Sequence, residues 1–165
     1  MSIVSGSSSI RTAPQGRARQ GVFKVLIAED DLMIADVAEM ILVERGYEVC
    51  GIARTVDEAI ALGNSHRPDL ALIDLRLADG GLGADIVAPL RALGRLGVLY
   101  ATGNASQVVL TQADGDASLA KPYRADELVR SLEIVSEIFR TGSATPPFPR
   151  GFKLLPSEAA ARTES

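Results

Sequence analysis

The chain has 165 residues, 47% of them apolar, with one cysteine, no tryptophan and a net charge of −4. That length and apolar share suit one domain with an aliphatic core plus tails, and a single Cys50 excludes an intramolecular disulfide. Charge is uneven: residues 1–20 hold Arg11, Arg17 and Arg19 and no acid, residues 141–165 carry +1, and the 21–140 body carries −8. An acidic body argues against nucleic acid as the main partner. No apolar run approaches the roughly 18 residues of a membrane span. With no secretory pattern either, a cytoplasmic setting is expected.

Residues 1–20 are rich in Ser, Gly, Arg and Gln with no apolar period and read as a disordered arm. Val22 to Ala28 is a buried first strand, ended by Glu29-Asp30-Asp31. Leu32 to Arg45 reads as an amphipathic helix with its apolar stripe at 33, 34, 37, 40, 41 and 42. Asp31 caps it and Gly46 ends it. Glu48 to Ala53 is a second strand, in which Cys50 reads as a small core residue. Thr55-Val56-Asp57-Glu58 is a capping box opening a second helix through about Ser65, stopped by Pro68. His66, the only histidine, reads as a surface residue.

Leu70 to Leu77 is the third strand region, an apolar run with one carboxylate in its midst. A charge there is expensive unless the strand ends at it, so Asp74 marks the strand's end. The loop 78–83 (Ala-Asp-Gly-Gly-Leu-Gly) lacks both dinucleotide and P-loop spacing. Its glycines let the backbone turn beside Asp74. Ala84 to Leu93 reads as a third helix, kinked or shortened by Pro89. Gly97 to Thr102 is a fourth strand, Ala105 to Ala113 a short fourth helix, and Ala117 to Ala120 a fifth strand closed by Lys121-Pro122. Ala125 to Arg140 is the last helix. Beyond it Phe148, Phe152, Leu154 and Leu155 are more apolar than a solvated tail needs. They are expected to dock on the body or on a second subunit, with 146–155 contributing to a homodimer contact.

Five strands alternating with helices specify a parallel sheet covered on both faces, and such sheets bind ligands beyond the carboxyl ends of their strands. That rim collects Glu29 and Asp30, Asp74, Thr102 and Lys121. Three carboxylates together repel unless a cation or protons intervene. A hard divalent cation such as Mg²⁺ with oxygen ligands fits. The Lys121 ammonium and the Thr102 hydroxyl suit the oxygens of a phosphoryl group, and Asp74 suits the nucleophile that forms an aspartyl phosphate.

Val25-Leu26-Ile27-Ala28-Glu29-Asp30-Asp31, Asp74, Ala101-Thr102-Gly103 and Lys121-Pro122-Tyr123 stand in the order found in the receiver domain of bacterial two-component response regulators, which residues 22–140 resemble. The resemblance implies an α/β, flavodoxin-like (βα)5 doubly wound sheet of order 2-1-3-4-5. It implies a receiver domain over 21–141, between the arm 1–20 and a Pro-containing tail 142–165. It also implies phosphotransfer from a sensor histidine kinase to Asp74. Metal would then be held by Asp30, Asp74 and the main-chain carbonyl of Arg76, with Glu29 acting mainly through water, while Thr102 and Lys121 bind the phosphoryl group. Output is expected through a downstream protein target or a phosphotransfer protein, or the chain is a phosphate sink. In either case it is not an enzyme beyond slow self-dephosphorylation. Two departures stand out. Ser118 occupies the usual aromatic switch position, and the Thr102–Lys121 interval is short. Tyr100, in a Tyr-Ala-Thr-Gly sequence similar to that of a group of single-domain receivers, shares a strand face with Thr102 and is a candidate replacement switch. The alternative is a small Mg²⁺-dependent phosphatase using the same aspartyl intermediate, against which Arg76 stands where a second acid is usual.

Overall fold

The computed structural model describes residues 22–103 and 108–163. Five parallel strands form the body of the sheet: β1 (Lys24–Ala28), β2 (Glu48–Ala53), β3 (Leu70–Asp74), β4 (Gly97–Thr102) and β5 (Ala117–Ala120). A sixth, β6 (Phe152–Leu154), pairs antiparallel with β5, and the order is β2-β1-β3-β4-β5-β6. The expected 2-1-3-4-5 order is thus present with one strand added at its end. The helices are α1 (Leu32–Glu44), α2 (Val56–His66), α3 (Val87–Arg91), α4 (Ala125–Thr141) and α5 (Glu158–Thr163).

Strand alternation sends successive side chains to opposite faces, and here both faces are buried. Val25, Ile27, Leu70, Leu72, Leu99 and Leu119 join Leu42 of α1 and Leu128, Leu132 and Val135 of α4 in one core layer. Leu26, Ala28, Ala71, Ile73, Val98 and Tyr100 join Ala59 of α2 and Ile86, Val87 and Leu90 in the other. At the pole away from the carboxyl ends of the strands, Phe23 meets Phe139 edge-on at 5.5 Å. Arg95 and Arg140 stack on those two rings, Arg95 on Phe139 and Arg140 on Phe23.

Two helices depart from expectation. Ala84–Leu93 is not one helix but a 3-10 turn, Gly83–Ile86, followed by the five-residue α3. Pro89 is the third residue of α3, in the first turn, where a missing N–H costs no intrahelical bond. Of the helix expected over 105–113, residues 105–107 lie outside the described residues, as do the arm 1–20 and Gly21. Residues 108–113 form no helix. Side chains capture that backbone instead: Thr111 N donates to Asp114 Oδ2 at 2.9 Å and Ala113 N to Thr111 Oγ1 at 3.3 Å. Such local bonds compete with helix formation.

The stripe on α1 is a third correction. Its buried residues are Ala35, Ala38 and Leu42. Met33 is 79% exposed, and Leu32, Ile34, Val37, Met40 and Val43 are exposed as well. Ala35, Ala38 and Leu42 face the sheet, and most of the larger apolar side chains face outward.

Candidate functional site

Asp31 starts the local construction of the site. Its backbone is extended (φ −88°, ψ 106°), and its carboxylate caps α1 by accepting from Met33 N at 3.0 Å and Ile34 N at 3.3 Å. With Asp31 spent on the helix, the preceding pair is left at the strand end. Glu29 turns inward and is 5% exposed. Its Oε2 accepts from Asp31 N at 3.1 Å. The Asp30 carbonyl accepts from Arg54 Nε at 3.4 Å, which joins this loop to the end of β2.

Asp74 ends β3 as expected, and the glycine loop after it holds it in place. Leu77 N donates to the Gly81 carbonyl and Gly83 N to the Leu75 carbonyl, so this loop folds back over the strand's end. Gly83 is needed for this: a Cβ there would sit 2.1 Å from the Asp74 carbonyl oxygen. Arg76 N donates to Asp74 Oδ1 at 3.4 Å. Arg76 itself is exposed, and its side chain offers no acid where the phosphatase alternative needs one.

Lys121 reaches in from the end of β5. Its Nζ lies 3.0 Å from Asp74 Oδ2 and 3.2 Å from Glu29 Oε1. Its backbone N donates to the Thr102 carbonyl at 2.7 Å, which fixes the ends of β4 and β5 together. Glu29, Asp30 and Asp74 present carboxylate oxygens all within 4.8 Å of one another. Glu29, Asp30, Asp74 and Lys121, all expected at the rim, therefore meet at one end of the sheet, and Thr102 ends the adjacent strand, joined to Lys121 through its carbonyl. The electrostatics match the crowding. Burial, reinforced by the charge of Asp74, pushes the Glu29 carboxyl up to about 7 against the pull of Lys121. For Lys121, burial works toward deprotonation, but the paired carboxylates of Asp74 and Glu29 prevail and raise its pKa. A donor set of clustered hard oxygens with excess negative charge fits a small divalent cation.

Tyr100 is fully buried, on the face of β4 that also carries Thr102. It stands opposite Ser118 in the β4–β5 register. Its hydroxyl donates to the Asp114 carbonyl at 2.7 Å, and Gly115 leaves it room, since a Cβ there would lie 2.7 Å from the ring. Burial raises the pKa of the phenol. Cys50 is half-buried in β2, with its thiol pushed up by burial, and His66 is exposed at the opposite pole.

A groove of about 580 Å³, lined by Met33, Ile34, Val37, Ile41, Pro122 and Tyr123, opens beside Lys121 and was not anticipated from the sequence. A signal for it was present: apolar residues on α1 occupy more of the helix circumference than one core-facing stripe requires.

A sequence model of the response regulator receiver domain matches residues 25–133. The transcriptional regulatory protein PdtaR of Mycobacterium tuberculosis is 36% identical over 121 residues, covering 71% of this chain and 58% of that protein. The phyllosphere-induced regulator PhyR of Methylorubrum extorquens is 35% identical over 103 residues, covering 61% and 39%. The matched stretch thus spans well under two thirds of either relative. Among solved structures, the CheY-like receiver domain protein of Methanospirillum hungatei superposes with a TM-score of 0.66 at 28% identity, covering 74% of this chain and 99% of that one. A mutant of the anti-anti-sigma factor PhyR of Bartonella quintana superposes with a TM-score of 0.62 at 29% identity, covering 74% and 51%.

Proposed function

The chain belongs to the response regulator receiver domain family, and on that premise we propose that it accepts a phosphoryl group from a sensor histidine kinase on Asp74 and signals through a phosphorylation-dependent protein contact. The observation that carries this is Lys121 Nζ lying between Asp74 and Glu29 at 3.0 and 3.2 Å. It supplies a fixed cation at the oxygen that would attack phosphorus.

In the transfer, an Asp74 carboxylate oxygen attacks the phosphorus of a phosphohistidine. The new O–P bond forms as the P–N bond breaks, and the imidazole leaves with the electron pair. The catalytic demand is positioning and charge stabilisation. The Gly83 turn and the Arg76 N–H fix Asp74. Lys121 turns toward a phosphoryl oxygen, and Thr102, on the adjacent strand end, donates its hydroxyl to another. Glu29, Asp30, Asp74 and the Arg76 main-chain carbonyl are the residues that would hold Mg²⁺, which supplies neutralising charge for the phosphoryl oxygens when bound. The donor must bring its phosphohistidine to Lys121. The apolar groove between α1 and Tyr123 is the surface beside that point, and an amphipathic helix of the kinase suits it. Downstream output, whether to a target protein or to a phosphotransfer protein, is part of the same proposal. The relatives are described as regulators, which supports it.

Incubation with Mg²⁺ and a small acyl-phosphate donor, resolved on a phosphate-affinity gel beside Asp74→Asn, tests the reading. A base-labile phosphorylated band in the wild type and none in the variant is expected. Its absence from the wild type removes the reading.

A further inference from the structure

The segment after α4 returns along that helix. Arg130 holds the carbonyls of Thr145 at 2.9 Å and Pro147 at 3.2 Å, and the Thr145 hydroxyl bonds Glu137. The chain then turns at Gly151 and lies along the free edge of β5. Ala120 N donates to the Gly151 carbonyl at 2.9 Å, Leu155 N to the Asp116 carbonyl at 3.0 Å, and Gln112 N to the Pro156 carbonyl at 2.9 Å. Between them runs the β6 ladder, Leu119 opposite Phe152 and Ala117 opposite Leu154. Phe152 enters the core layer beneath α1 and α4. Leu155 enters the other layer, with Tyr100 and Leu110. These two anchors fix the segment to opposite faces of the sheet, while Lys153 and Leu154 face solvent and the following α5 buries nothing.

We infer that Gly151–Pro156 is a strap released by phosphorylation at Asp74, and that the β5 edge it covers is a docking edge for an extended segment of a partner protein. The inference rests on Asp74 being the phosphoacceptor. The strap is bonded to β5, whose end carries Lys121, and to the connection between β4 and β5. Its first bond is to Ala120, the residue before Lys121, and its last is to the connection that leads from Thr102 to β5. In the state described, Lys121 is drawn onto Asp74 and Glu29. A phosphoryl group on Asp74 places new anionic oxygens between Asp74 and Lys121 and in front of Thr102, so the ion pair that now sets Lys121 is replaced. The ends of β4 and β5 shift with these two side chains. The Ala120–Gly151 junction bears that displacement first. It has little slack, because Gly151 takes a φ of +79° and a Cβ there would meet Ala120 at 3.3 Å. An element held by two side chains and a few edge bonds belongs to the low-stability end of a fold, where a modest differential interaction shifts its population. Once it is released, β5 presents unpaired N–H and C=O groups between two vacated apolar slots. That is a template for strand addition, and it selects an extended peptide with apolar residues three apart, the spacing of Phe152 and Leu155.

Hydrogen exchange on the full chain, with and without Mg²⁺ and acetyl phosphate, tests the release, the phosphoryl adduct being read by intact mass in the same samples. On the phosphorylated chain, amides of 151–156 and β5 are expected to exchange at least about ten-fold faster, while those of β1 and β3 keep their protection. Full adduct with unchanged strap protection overturns the inference and leaves the Asp74 reading standing. No adduct overturns both. For the docking edge, a labelled synthetic peptide of residues 149–157 is expected to bind phosphorylated wild type and unphosphorylated Leu155→Ser, but not unphosphorylated wild type. Failure to bind the phosphorylated wild type, or equal binding with and without phosphorylation, overturns it.

Discussion

Glu29 carries the site's clearest electrostatic signature. Burial and the Asp74 charge hold its carboxyl up at about 7 rather than at the ordinary 4.5. The folded chain therefore keeps a proton there that the unfolded chain has lost. Stability from this group is greatest below the ordinary value and falls as pH rises through about 7. Thermal unfolding of the metal-free protein is expected to show lower stability at pH 8 than at pH 6, with the difference reduced in Glu29→Gln. Lys121 is the other residue whose loss is readable. Removing one preorganised charge-stabilising donor costs roughly 10²–10³ in rate. Lys121→Ala is expected to slow phosphorylation of Asp74 by that order in a single-turnover assay with the acyl-phosphate donor, while Asp74→Asn abolishes it. Glu29, Asp74 and Lys121 were all legible in the sequence, because each sits where a strand's apolar run stops at a polar residue. Tyr100 was legible only as a candidate. Its bond to the Asp114 carbonyl depends on how the β4–β5 connection folds, and no local pattern encodes that.

Among the elements, those with strong local signals formed where the sequence placed them. Asp31 is the example: its carboxylate caps α1 at the position expected. Asp31→Ala is expected to cost about 1 kcal/mol, measured as a lower urea midpoint at unchanged m-value, with Asp74 still phosphorylated. Gly83 acts through sterics. Its added Cβ would meet the Asp74 carbonyl oxygen at 2.1 Å and Ile73 Cγ2 at 2.5 Å, contacts that only backbone movement relieves. Gly83→Ala is expected to destabilise by at least the ~1–3 kcal/mol typical of overpacking and to slow phosphorylation by moving Asp74. The elements that differ from expectation are those where local chemistry was overruled. Residues 108–113 carry apolar side chains that suggest a helix, yet the Thr111–Asp114 bonds hold an irregular turn. On α1 the apolar pattern is real, but apart from Leu42 its large members lie outward or at the margin, and small alanines give closer packing on the sheet. Position 84 resembles a helix start in the sequence although Pro89 suits only a first turn, which delays the helix to Val87.

At the scale of the molecule, the fold gathers negative charge at one end of the sheet and leaves it dependent on a counter-ion. Mg²⁺ binding only to the folded chain stabilises it by mass action, about 2.7 kcal/mol at a hundred times Kd. Melting temperature is expected to rise with Mg²⁺ in the wild type and to respond much less in Asp30→Asn. Among the described residues, no helix is long and apolar enough to cross a membrane. The tail joins this scale too. Its apolar residues were visible as an excess expected to dock on the body or on a second subunit; that Phe152 and Leu155 enter the two opposite core layers was not visible. The order of the sheet came only from the resemblance to receiver domains; the strand–helix alternation and the acids, hydroxyl and ammonium at the strand ends were written in the sequence itself. These depend on local periodicity, caps and the high cost of burying an unpaired charge, all read within a few residues. Only the tertiary structure decided that Lys121 lies between Asp74 and Glu29, 47 and 92 residues away along the chain. It also decided that residues 152–154 pair with the outer edge of β5. Both depend on which surfaces remain uncovered once the core has assembled, and that is a property of distant segments meeting, not of any one of them.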